Sequence, residues 1–317
     1  MGLPVTVYRW DDAGAPVISS SGKPSEMINV LKKCLVDGYG TKSPLGWSVA
    51  FEDAVSFKIA FRNSTTQGGG GYFSIRSTTG ADTANGVMKM QSAQAMTDID
   101  TFVKAANFAS IRLSSIHRKW IIIGTSRGFY AVFGRNDIAT YSLGYSEEPL
   151  FFVGDIDTLI TNDVDAFKLI MSPYASGNVS ATGYNYSMTY MFASVTSTCA
   201  LFYNADGSAG SQLYRWRMPY EIIPYLSALT SPTTKFLSQI IIESNNPQSP
   251  DSAGTIQHCS LKMPSLRGVM PGMLMANSNA DSTMSWPNFS MLNGVSHLQM
   301  RCLENNQVYI NAVSWYE

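Results

Sequence analysis

The sequence predicts a mainly β (α+β) fold, an antiparallel sandwich- or barrel-like body with a few short helices, and three observations predict it. Short runs rich in Val, Ile, Phe, Tyr and Thr recur from Trp47 onward, Gly, Asn, Asp or Ser bounds each run, and a single stretch carries clear helical periodicity.

The elements follow in chain order. VTVYRW alternates and reads as a strand, ended by the turn residues of DDAGAP. Apolar positions 27, 28, 31, 34 and 35 then fit one face of a helix, with Ser25 as its expected N-cap and Lys32 and Lys33 in its last turns, where the dipole favours positive charge. LVDGYGTKSPLGW, Leu35 to Trp47, follows at once. Such a joint either cradles a ligand or turns a buried helix into a sheet. On the second reading Gly38 and Gly40 end the helix, Pro44 and Gly46 turn the chain, and Trp47 opens the sheet with its ring in the core.

From Trp47 the strands are WSVAFEDA, FKIAFRN, YFSIRS, IRLSS, KWIIIGT, GFYAVFGR and TYSLGYS, spaced as antiparallel hairpins. Thr97 to Asp100 is expected to open a short helical turn through Phe102 and Val103, and GDIDTLI to form another after LFFV. Beyond Asp165 come FKLIMSP, YSMTYMFASV, CALFYN, PYEIIPYLSAL, TKFLSQIIIES, LRGVMPGMLMA, SHLQMRCL and QVYINAVSW. The division expected is residues 1–170 and 171–317, two β-rich domains or one continuous bilobed body.

Composition narrows the function classes. Charged residues are only 14% of the 317, against an average near 25%, so the surface must be covered by neutral polar groups or by neighbouring chains. The 16 Tyr, 15 Phe, 6 Trp and 16 Met suit interface cores. With 22 basic and 23 acidic residues there is no broad positive field for a phosphate backbone, and nucleic acid is not an expected partner. No apolar run is long enough for a membrane-spanning helix and MGLPVTVYRWDD lacks a signal-peptide pattern, so a cytosolic site of synthesis is expected. Cys34, Cys199, Cys259 and Cys302 show no CxxC spacing and read as free, buried thiols.

No motif carries convincing chemistry. Gly68 to Gly71 lacks the GK[ST] of a phosphate loop and precedes a strand, so it reads as a flexible hairpin tip. His117, His258 and His297 are too scattered for a metal triad, and His258 and Cys259, adjacent on a strand, face opposite ways. Asp155, Asp157, Asp163 and Asp165 cluster, but Leu159 stands where an EF-hand needs a polar ligand and the central glycine is missing, so capping and solvated turns are expected. No catalytic residue, cofactor or metal is expected.

In series, VYRWDDAGAPVIS at 7–19, CLVDGYGTKSPLGW at 34–47, AFRN at 60–63, YFSIR at 72–76, AMTDIDTF at 95–102, HRKWIIIGTSRGFYAVF at 117–133, FFVGDIDTL at 151–159 and, more weakly, GTIQHCSLKMPSLRGVMPG at 254–272 resemble a family of tailed-bacteriophage virion structural proteins. The resemblance spans nearly the whole chain, departing after about Ser172. It implies a non-enzymatic subunit of the virion, at the head–tail neck or collar or alternatively decorating the capsid; a tail-tip receptor- or glycan-binding module, with Tyr and Trp side chains as stacking surfaces, is the rival expectation. It also implies made-in-host-cytoplasm synthesis, residence in the virion, and partners that are copies of itself in a cyclic oligomer and other neck, tail or capsid proteins.

Overall fold

Three consecutive apolar runs organise the molecule. In the computed structural model, Lys119–Gly124, Gly128–Gly134 and Leu150–Asp155 are antiparallel neighbours, flanked by Thr6–Arg9 on one side and Phe167–Ile170 on the other. The structure describes residues 2–106, 108–112, 116–135, 149–171, 188, 198–217, 237–244, 248–250, 256–258, 262–276, 285–301 and 307–317. Nearly every residue of the three central strands is buried, because this sheet is covered on both faces. Antiparallel sheets more often leave one face in water and then alternate polar with apolar. Here the runs are continuous, and period-two geometry sends alternate side chains to opposite cores.

The register shows the division. Tyr8, Ile122, Ala131 and Phe151 lie side by side across four strands and belong to one core. One residue along, Val7, Ile123, Tyr130, Phe152 and Ile170 lie side by side across five strands and face the other. A slip of one residue would exchange the two sets.

The first core is closed by a sheet ordered Ser48–Asp53, Lys58–Arg62, Tyr72–Ser77, Val87–Met96 and Phe102–Ala105, with Ala109–Arg112 also pairing Val87–Met96. It contributes Ile59, Phe61, Phe73, Ile75, Met88, Met90 and Ile111. The helix Pro24–Lys32 adds Met27, Val30 and Leu31 to the same core. The second core is closed by the sheet ordered Thr198–Tyr203, Ser211–Arg217, Leu237–Ser244, Leu266–Ala276, Gln307–Asn311, Val295–Arg301 and Asn288–Leu292, to which Asp157–Thr158 adds a short edge. Tyr214, Trp216, Ile240, Ile242, Met270 and Ile310 meet Ile121, Ile123 and Tyr130 there, so residues before and after 170 share one core. Leu3–Pro4 pairs with Ser314–Trp315 at the side. The chain is therefore mainly β and antiparallel, in three sheet layers.

Local expectations fared unevenly. Helix capping is corrected: Lys23, not Ser25, is the N-cap, Pro24 opens the first turn, and Glu26 Oε2 accepts the Lys23 and Ser19 N–H groups at 3.0 and 3.2 Å. Ser25 gives its N–H and hydroxyl to Asp82, at 2.9 and 2.8 Å. Thr97–Asp100 is a tight turn rather than a helical one, held by the Asp100 N–H on Asp98 Oδ1 at 2.8 Å, and Phe102–Ala105 is a strand. GDIDTLI is not helical either. Ile156 N–H bonds the Ala166 carbonyl and Asp157 and Thr158 pair with Val269 and Gly268, so the sheet takes groups that a helix would need. YSMTYMFASV and PYEIIPYLSAL lie largely or wholly outside the described residues, as do Cys259 and Cys302.

Candidate functional site

The joint from Leu35 to Trp47 is consumed by internal contacts. The helix widens into a π-helical turn over Lys33–Asp37 and stops at Gly38, whose φ is 76° and whose N–H bonds the Lys33 carbonyl at 2.8 Å. A Cβ at Gly38 would lie 2.6 Å from the Lys42 carbonyl oxygen and 3.2 Å from Pro44 Cδ, and one at Gly40 would lie 2.2 Å from the Ala13 carbonyl oxygen. Leu45 and Trp47 give their N–H groups to the Cys34 and Leu35 carbonyls, both at 3.0 Å, satisfying acceptors the helix end leaves open. Gly46, at φ 82°, makes the last bend. Trp47 then places its ring 5.3 Å from Phe129 and 5.9 Å from Phe167, and its indole N–H on the Thr125 carbonyl at 3.2 Å. Tyr39, between Tyr8 and Trp120, gives its hydroxyl to Asp12 at 2.9 Å, and the Tyr8 hydroxyl reaches the Ser43 carbonyl at 2.5 Å. The joint fastens the helix to the central sheet.

The clustered aspartates are taken up separately. Asp163 meets Arg267 through two bonds of 2.6 and 2.7 Å with both side chains wholly buried. Asp165 collects groups from all three layers: Gln94 Nε2 at 3.0 Å, Lys168 Nζ at 2.6 Å and the Tyr203 N–H at 2.6 Å. Lys168 and Arg267 also approach the Phe202 ring, at 4.9 and 5.2 Å, and burial lowers the Lys168 pKa against the opposing pull of Asp165. Asp155 Oδ2 accepts the Gly69 N–H at 2.7 Å, with Asn63 Nδ2 at 3.3 Å and Arg127 Nε at 3.5 Å, while its buried Oδ1 has no hydrogen-bond partner. Burial raises its pKa. The glycine run is thus a hairpin connection, but a packed one: Gly69 binds a carboxylate, and a Cβ at Gly71 would lie 2.2 Å from Phe167 Cγ.

The remaining aspartate lines a cleft of about 280 Å³ beside residues 311–317. A local departure from strand pairing makes room for it. Gln239 pairs with Leu274 and Ile241 with Val269, so Met270 to Met273 bulge out opposite Ile240. Trp315 fills much of the bulge, against Gly272, with Tyr130 edge-on at 5.2 Å and the Tyr130 hydroxyl on the Pro271 carbonyl at 2.9 Å. What stays open is lined by Asp157, Gln239, His297, Asn311, Tyr316 and Glu317, among others. His297, singled out in the sequence only as a scattered histidine, sits here, its Nδ1 2.9 Å from the Val295 carbonyl. His117 is buried, and of His258 only the backbone is described. No periodicity or motif marks the cleft in the sequence, because its walls come from residues 157, 239, 269, 270, 272–274, 297, 311 and 314–317.

Cys34 and Cys199 are free and buried, as expected of them, and burial pushes both thiols well above their ordinary pKa. Among the described residues, no group of three or more His, Cys, Asp and Glu is placed to hold a metal ion, and no helix is long and apolar enough to cross a membrane.

Fold and site together define a three-layer antiparallel β protein, tied across its layers by buried polar groups and bearing a polar cleft against its third sheet. No family model matches the chain, and no curated protein matches it.

Proposed function

We propose that the chain is a non-enzymatic structural subunit of a tailed-phage particle, placed at the head–tail neck or collar and assembling with copies of itself and with neighbouring virion proteins. The observation that carries this reading is the distribution of charge. A chain with only 14% charged residues spends Asp163, Arg267, Asp165 and Lys168 on wholly or almost wholly buried pairs. Its exterior meanwhile carries Val17 at 74%, Val55 at 86%, Leu159 at 65% and Met291 at 65% exposure. Depletion of charge with retained apolar side chains is the composition of interface cores. The motif residues that resemble the phage family support the same reading, since Gly38, Gly40 and Trp47 build a joint of the frame and leave no open cradle there.

Mass spectrometry of purified particles, with the chain labelled for imaging, tests the proposal. The expected result is a stoichiometric component with ring density at the neck. Absence from intact virions would overturn it. Capsid decoration and a tail-tip receptor- or glycan-binding module are alternative positions, which the location of the density separates.

A further inference from the structure

The cleft beside residues 311–317 is rich in uncommitted acceptors. Asp157 is half-buried, yet its carboxylate accepts no hydrogen bond from any described residue. Glu317 has one oxygen occupied by the Ser314 hydroxyl and the other open. His297 Nδ1 lies 2.9 Å from the Val295 carbonyl oxygen, which makes that nitrogen a donor and leaves Nε2 as the ring nitrogen without a partner among the described residues. Gln239 and the Asn311 amide nitrogen have no partner among the described residues and add one acceptor and two donor groups.

Charge points the same way as hydrogen-bonding capacity. The lining holds two carboxylates and no Lys or Arg. Arg127, whose charge Asp157 feels, is committed elsewhere: its Nε lies 3.5 Å from Asp155 and its guanidinium 3.9 Å from the Tyr316 ring centre. Asp157 is half-buried and so partly desolvated without donors to offset it, Glu317 is exposed, and a ligand that only donates would satisfy both carboxylates. Met270, Met273 and Leu274 provide an apolar wall for a short alkyl stem, and a space of about 280 Å³ admits a ligand of amino-acid size.

We propose that this cleft binds an organic cation, an alkylammonium or alkylguanidinium group, between Asp157 and Glu317. The group comes either from a Lys or Arg side chain of a neighbouring protein or from a free polyamine. The inference stands on the cleft and is independent of the place of the chain in a particle.

Calorimetric titration of the full chain tests it with agmatine and 1,4-diaminobutane, with 1,4-butanediol and glucose as neutral controls, and with short peptides carrying arginine or citrulline. Saturable binding of the cations but not the controls is expected, weakened about tenfold by Asp157→Asn and similarly by Glu317→Gln, each with an unchanged melting temperature. Arginine-peptide binding identifies the side-chain source, and binding of the free amines alone identifies the polyamine. Equal binding of 1,4-butanediol or glucose, no binding of any cation, or unaltered affinity in both variants would overturn the proposal.

Discussion

The Tyr316 hydroxyl donates to the Asp155 carbonyl oxygen at 2.6 Å, joining residues 161 apart in sequence. Asp155 also holds the Gly68–Gly71 connection through its carboxylate, and the Arg127 guanidinium stacks on the Tyr316 ring, so three separate segments converge on one residue of the central sheet. Tyr316→Phe removes the hydrogen bond and keeps the ring. The expected loss is about 1 kcal/mol, read from denaturant midpoints. A loss beyond about 3 kcal/mol would show that the ring position also depends on the hydroxyl.

Trp47 is the anchor of the joint. Trp47→Ala leaves a cavity against Phe129 and Phe167 and an unpaired Thr125 carbonyl, and should cost about 3–5 kcal/mol by urea unfolding. Gly38→Ala should cost more than the usual 1 kcal/mol or so for a left-handed position, because its Cβ would also press on the Lys42 carbonyl oxygen at 2.6 Å. A neutral Gly38→Ala would mean that the turn relaxes freely.

The Asp163–Arg267 pair should behave as a unit. Asp163→Asn or Arg267→Met leaves a buried charge without its partner and should destabilise by roughly 3–5 kcal/mol, whereas the double variant should lose much less than the sum. Additive losses in a double-mutant cycle would exclude the coupling.

Asp155 sets a pH dependence of known sign. Burial raises its folded pKa above the unfolded value of about 3.9, so the folded state binds more protons between the two. Its contribution is fully present below the unfolded pKa and is lost as pH rises through the folded pKa. Comparing the native chain with Asp155→Asn by chemical denaturation from about pH 4 to pH 7, the native chain should lose stability relative to the variant as pH rises. A difference independent of pH would count against a raised pKa. Asp157, also raised by burial, remains in both proteins and cancels in the comparison.

Much of the frame was legible in the residues themselves. KWIIIG, GFYAVFG and LFFV read as strands because β-branched and aromatic side chains suit a pleated, buried surface, and Gly38 marks the helix end because glycine enters left-handed backbone cheaply. The helical turn expected at Thr97 failed because acidic residues that often cap helices also cap tight turns, as Asp98 does, and the one at GDIDTLI failed because its backbone pairs with Leu266–Ala276 instead. Ser25 resembled a cap, but Glu26 and Asp82 hold the N-terminal turn instead, and the second of these lies 57 residues from Ser25.

Local conformation and the need for burial are written in the residues themselves, since backbone preference and side-chain hydrophobicity act over a few positions. The covering of one antiparallel sheet on both faces, the core that each of its alternating side chains enters, and the meeting of Asp163 with Arg267 across 104 positions follow from how the layers pack. Period-two patterning records that a face is buried but not what covers it. The partners of a buried charge are set by the order of strands in three dimensions, which no short stretch of residues encodes.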